Sequence, residues 1–144
     1  MTEPRSDPVG DPAIRALIRR ALREDLGRDG DLTTRALVPP RTRAIARILA
    51  RTACTVAGVS IAESVFQRLD PRAVFERHAA DGATVKPDSP ILTIRGRAAA
   101  LLTAERTALN LMQRMTGIAT LTARFVDAVR PYPVRILDTR KTTP

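Results

Sequence analysis

The sequence predicts an α+β fold, and three observations carry that expectation. From Thr42 to Ala57 the composition turns to Ile, Val, Thr and Ala, interrupted by charged residues, which fits one or two antiparallel strands with one wet face. Flanking them are segments with apolar residues at helical spacing, an early one from Pro12 to Leu26 and a long one from Ala98 to Met115. The last apolar run, Val134, Ile136 and Leu137, follows Pro131 and Pro133 and reads as a buried strand whose carboxyl end carries Asp138, Thr139, Arg140 and Lys141. That end of a strand is where parallel α/β folds bind ligands. A complete (β/α) barrel takes about 250 residues. A parallel strand buried on both faces is not stable without parallel neighbours. The 144-residue chain therefore reads as a mixed domain followed by the first strand of an α/β barrel that is truncated here, the amino-terminal portion of a longer protein.

In chain order, residues 1–11 are polar and proline-rich and read as a disordered leader. Its last residue, Asp11, caps a helix with Pro12 at the first position and Ile14, Leu17, Ile18, Ala21, Leu22 and Leu26 on one face, ended by Gly27. The segment R-D-G-D-L-T-T reads as a loop in which Asp31, Thr33 and Thr34 bond backbone groups locally. Thr42 to Ala57 fits one or two strands closed by Gly58. Ser60 and Glu63 then suggest a capping box for a short helix with the stripe Ile61, Val65, Phe66 and Leu69. A strand from Ala73 to His78 and an Asp81-Gly82 turn follow.

Ala98 to Met115 places Leu101, Leu102, Ala108, Leu109, Met112 and Met115 on a buried side, with Arg106, Asn110 and Gln113 on another face. Asparagine is a mediocre helix former, so Asn110 beside Arg106 points to a polar contact worth its cost. Met115-Thr116-Gly117 is expected to break the helix. A second helix, Ile118 to Arg130, would then carry the stripe Ile118, Leu121, Thr122, Phe125, Val126 and Val129. The domain division is accordingly 12–117 and 118–144.

Composition excludes several classes. The formal charge of +9 is nearly all arginine, Lys86 and Lys141 being the two lysines, and the arginines are scattered rather than clustered. With Phe66, Phe75, Phe125 and Tyr132 as the aromatics there is no stacking platform for bases, so nucleic acid is not expected as a partner. Cys54 and His78 each stand alone, which leaves no disulfide and no cysteine-pair metal site, and Cys54 in an apolar run reads as a buried thiol. The longest strictly apolar run, Ala98 to Leu102, is far short of a membrane span, and a cytoplasmic setting is expected.

At the strand end, Arg140 offers a planar fork for carboxylate or phosphate and Lys141 a mobile point charge, which together suggest an anionic substrate. A solvated strand end with no ligand fits the same four residues. Asp81 to Gly96 has the spacing of a half-motif from biotinyl and lipoyl carrier domains. Lys86, however, sits beside Pro87 within the strand-turn segment rather than at a hairpin tip, so shared sandwich architecture without the modification is expected.

Three motifs change that balance: T-A-E-R-T-A-L-N-L-M-Q-R-M-T-G-I-A-T from Thr103 to Thr120, D-T-R-K-T-x-P from Asp138 to Pro144, and E-D-L-x(4)-D-L-T-T from Glu24 to Thr34. Together they resemble the quinolinate phosphoribosyltransferase family over nearly the whole chain. The resemblance implies an α/β sandwich domain ahead of a seven-stranded α/β barrel, in homodimers with shared active sites. It implies that Arg106 reaches into the neighbouring subunit's site and grips a substrate carboxylate. Thr139, Arg140 and Lys141 would line the subunit's own site, Arg140 on the pyridine dicarboxylate and Lys141, as the catalytic cation, near the phosphoribosyl donor. The implied substrates are quinolinate and phosphoribosyl pyrophosphate, the latter carrying Mg2+ whose ligands are expected beyond residue 144. The family's later site residues are absent from this chain, so it is expected to be inactive alone. A molybdenum-transport-associated paralogue shares the motifs. A noncatalytic carrier-like domain, which would show an adduct on Lys86, is the alternative of a different class.

Overall fold

The computed structural model describes residues 10–139 and 141. The leader expected at residues 1–11 falls mostly outside them, as does Arg140. Helix α1 (Pro12–Leu26) begins where Asp11 Oδ1 accepts the Ala13 N–H at 2.7 Å and stops at Gly27, whose φ of +57° suits a residue without a Cβ. The expected loop after it is in fact a short helix, α2 (Leu32–Leu37). The physical reason is the local bonding anticipated for Asp31: its Oδ1 accepts the Thr34 N–H at 2.9 Å, an N-cap that starts a helical turn instead of holding a loop.

Two antiparallel sheets follow. Strands β1 (Arg43–Leu49), β5 (Pro90–Arg97) and β3 (Val74–Arg77) pair in the order β1-β5-β3, while β2 (Cys54–Thr55) pairs with β4 (Thr84–Val85). Register decides which face is wet. Ala46 lies opposite Ile94, Ile48 opposite Leu92 and Phe75 opposite Ile94, and these residues join the hydrophobic core. The alternate positions place Arg43 opposite Arg97 and Ile45 opposite Arg95 on the other face, and all four are exposed.

Helices α3 (Val59–Leu69) and α4 (Ala98–Val129) lie on the apolar face. Leu92, Ile94, Val56, Val59 and Val65 are the largest fully buried side chains between these layers. Each contributes about 1.5–3 kcal/mol through the apolar surface it removes from water. Asp70 ties the layers at one edge, being only 3% exposed. Its Oδ2 accepts the Arg97 N–H at 2.8 Å and its Oδ1 the Arg72 N–H at 3.2 Å, which joins the end of α3 to the junction of β5 and α4. The Arg97 N–H holds this carboxyl below its usual range, against the opposing effect of burial.

Five further expectations are corrected. The Ser60–Glu63 capping box does not form: Gly58, at φ +92°, occupies the N-cap, Asp81 Oδ1 accepts the Val59 N–H from across the fold, and Glu63 pairs with Arg77. Tertiary partners outbid the local ones. The break at Met115-Thr116-Gly117 is absent, α4 running unbroken for 32 residues. A lone helix-interior glycine costs about 1 kcal/mol, which the contacts on either side outweigh. Leu102, expected to be buried, is 51% exposed. Val134 to Leu137 form no strand; they follow the turn after α4 as an exposed segment, and no neighbouring strand pairs with them among the described residues. Cys54 is half-buried rather than buried.

Candidate functional site

Helix α4 positions most of the residues singled out by sequence. Its E-R-x-x-L-N segment turns Glu105, Arg106, Leu109 and Asn110 to one side, where with Leu102 and Gln113 they line an open surface cavity of about 390 Å³. These positions recur at three- and four-residue spacing, which is why one helix face carries them all.

Arg106 is 74% exposed at its side chain, and its Nη1 donates to Asp25 Oδ1 at 2.9 Å. Asp25, on the last turn of α1, is only 14% exposed. One turn before Arg106 on α4, the Thr103 hydroxyl donates to Asp31 Oδ2 at 3.0 Å. The Thr34 hydroxyl and N–H, then the Thr103 hydroxyl and the Arg106 charge, hold the Asp31 carboxyl below the usual range despite partial burial. The early E-D-L-x(4)-D-L-T-T signature and the E-R-x-x-L-N segment are thus in direct contact, a link that sequence reading missed because about 80 residues separate them.

Further along α4, Thr116 and Thr120 clip the helix to the second sheet. The Thr116 hydroxyl accepts the Ala57 N–H at 3.1 Å and donates to the Ala57 carbonyl at 3.1 Å, while the Thr120 hydroxyl accepts the Thr55 N–H at 3.0 Å. The T-G-I-A-T motif is therefore an architectural fastener, its hydroxyls four residues apart satisfying an edge strand. Gly58 approaches the same turn so closely that a Cβ there would lie 2.2 Å from Met115 Cε.

At the carboxyl end, Thr139 and Lys141 are exposed, and the Lys141 N–H donates to Thr139 Oγ1 at 2.8 Å. No hydrogen bond or ion pair joins either of them to Arg106 among the described residues. Among the described residues, no group of three or more His, Cys, Asp or Glu side chains is arranged to hold a metal ion. The Mg2+ implied by the resemblance finds no donor set among them, its ligands being expected beyond residue 144. Lys86 follows β4 and is exposed beside the turn at Pro87 and Asp88. No described helix is long and apolar enough to cross a membrane.

Residues 31–116 match the family model described as quinolinate phosphoribosyl transferase, N-terminal domain. The chain is 45% identical over 135 residues to a nicotinate-nucleotide pyrophosphorylase (carboxylating) of Mycobacterium leprae, covering 92% of this chain and 47% of that protein. It is 39% identical over 144 residues to quinolinate phosphoribosyltransferase (decarboxylating) 1 of Nicotiana glauca, covering all of this chain and 40% of that protein. Among solved structures, NadC from Streptococcus pyogenes superposes with a TM-score of 0.87 at 34% identity, over 92% of this chain and 47% of that one. The chain spans less than half the length of these relatives. With the family's N-terminal domain matched over most of the chain and its fold reproduced, the chain belongs to the quinolinate phosphoribosyl transferase family.

Proposed function

We propose that this chain supplies the amino-terminal part of an enzyme that joins quinolinate to phosphoribosyl pyrophosphate, yielding nicotinate mononucleotide, carbon dioxide and pyrophosphate. The observation that carries this reading is the match of residues 31–116 to the family's N-terminal domain, with Arg106 exposed on the lined face of α4. In this scheme Arg106 grips a carboxylate in the partner subunit's site. Thr139, Arg140 and Lys141 serve the chain's own site, with Lys141 toward the donor phosphates and Arg140 on the dicarboxylate. The chemistry calls for these residue types. A pyridine nitrogen attacks an anomeric carbon as pyrophosphate leaves, and fixed cations hold a dianion next to an anionic donor with no nucleophilic side chain required. The pyridinium then accepts the electron pair released when the 2-carboxylate departs as carbon dioxide.

In this reading a second copy completes the site, and residues 12–117 and 118–144 belong to two domains that share α4 (Ala98–Val129). The setting we propose is cytoplasmic. A chloroplastic relative exists in rice, so fractionation of the native protein decides the compartment.

The test uses an enzyme in which this chain is followed by the second half its relatives carry. Arg106→Ala and Lys141→Ala proteins, each nearly inactive, are mixed under subunit exchange. Random pairing in a two-fold dimer restores about one quarter of all sites. Carbon dioxide release no greater than the mean of the separate variants, with exchange confirmed by mass, overturns the shared site. Wild-type enzyme that releases neither pyrophosphate nor carbon dioxide from these substrates overturns the reaction itself and favours the molybdenum-associated branch of the fold.

A further inference from the structure

We propose that Asp25 is a positioning residue for Arg106, holding its guanidinium by one nitrogen so that the rest of the fork is left for a substrate carboxylate. This rests on the carboxylate-gripping role given to Arg106 above.

The geometry is asymmetric. Asp25 is 14% exposed and Arg106 74% exposed at the side chain, so the acid is anchored in the fold and the base projects from it. A carboxylate largely withdrawn from water needs a cationic or hydrogen-bonding partner, and Arg106 Nη1 at 2.9 Å supplies it. Arginine carries five N–H donors in a rigid planar fork, and this contact engages a single nitrogen, whereas a bidentate pair would have occupied one whole edge. A long side chain on an exposed helix face ordinarily samples many rotamers. Tethering one nitrogen to a fixed carboxylate removes much of that freedom before any ligand arrives.

The base of the tether is itself braced. Asp31 caps α2 through the Thr34 N–H and takes the Thr103 hydroxyl, which fixes α4 one turn before Arg106 against the segment that follows α1. Asp25 and Asp31 lie six positions apart in E-D-L-x(4)-D-L-T-T and meet α4 three positions apart, at Arg106 and Thr103. A bare latch between α1 and α4 would also satisfy these contacts, so the decisive readout is one that a latch does not move.

In the enzyme carrying this chain with its second half, Asp25→Asn is expected to raise KM for quinolinate roughly tenfold, as for loss of one charge-assisted hydrogen bond, with kcat and the melting temperature little changed. In an Arg106→Ala background the same substitution is expected to leave KM where Arg106→Ala alone puts it, because the two residues act as one unit. Asp25→Glu keeps the charge one methylene further out and should fall between wild type and Asp25→Asn. Where Asp25→Asn does not fold, the Glu variant alone carries the test through its non-additivity with Arg106→Ala. An unchanged KM in Asp25→Asn, effects that add with Arg106→Ala, or Glu worse than Asn overturns the positioning role and leaves that of Arg106 standing. An unchanged KM in Arg106→Ala overturns both.

Discussion

The two halves of α4 carry similar apolar periodicity and meet opposite fates. From Ala98 to Met112 the helix packs on the β1-β5-β3 sheet and α3, with Leu101, Ala104, Ala108 and Met112 buried. From Ile118 to Val126 the corresponding stripe is bare, with Ile118, Leu121, Phe125 and Val126 each 43–59% exposed. Periodicity reveals that a helix has a face meant for contact. Which surface covers that face is not written in the helix itself. The boundary between the halves is the pair of hydroxyls at Thr116 and Thr120, which tie α4 to Ala57 and Thr55.

Truncating one leucine on each side of that boundary should give the largest difference. Leu92→Ala, opposite the packed half at 0% exposure, should lose about 2–5 kcal/mol of unfolding free energy. Leu121→Ala, on the bare half, should change it by about 0.5 kcal/mol or less. Urea unfolding followed by circular dichroism checks both, and a comparable loss at Leu121 would mean that the second stripe is covered after all.

The boundary itself gives the next effect. Thr116→Val removes both the acceptor of the Ala57 N–H and the donor to its carbonyl, and should cost about 1–3 kcal/mol, whereas Thr116→Ser should be nearly neutral. Hydrogen exchange at Ala57 localises the change: faster exchange in Val but not in Ser confirms the clip.

A third test separates the packed core from the later half by pH. Asp70 and Asp31 both have folded pKa values below the unfolded value of 3.8. Their contribution to stability is therefore fully present above about pH 4 to 5 and is lost as pH falls through the depressed folded values. The urea midpoint should drop in that acid window, and Asp70→Asn should flatten the drop. A midpoint as steep in Asp70→Asn as in wild type would take Asp70 out of the acid transition.

The smallest expected effect runs the other way. Gly117 lies inside α4 with nothing within 4 Å of where a Cβ would sit, so Gly117→Ala should stabilise this chain by roughly 0.5–1 kcal/mol. A destabilised variant would show that the glycine is kept for a close approach within the fold.

Much was legible in the residues alone where local physics decides. Asp11 and Pro12 start α1 and Gly27 ends it, because capping and left-handed backbone are properties of one or two residues. Runs rich in β-forming residues pointed to strands within Thr42 to Ala57 and at Ala73 to His78, where β1, β2 and β3 lie. The E-R-x-x-L-N and T-G-I-A-T segments were enough to point to the family. Tertiary structure decided the rest, because each remaining choice was a competition between a local bond and a distant one. Asp81 took the cap of α3 from Ser60, and Arg77 took Glu63, since a partner fixed by the surrounding fold loses less entropy than a free local pair. Thr116 and Thr120 carried α4 through a glycine that local propensity marks as a break. Val134 to Leu137 stayed unpaired among the described residues, for a strand exists only where a second backbone meets it. Asp25 met Arg106 across 81 residues, a distance in sequence at which composition and spacing say nothing and only the packing of α1 against α4 speaks.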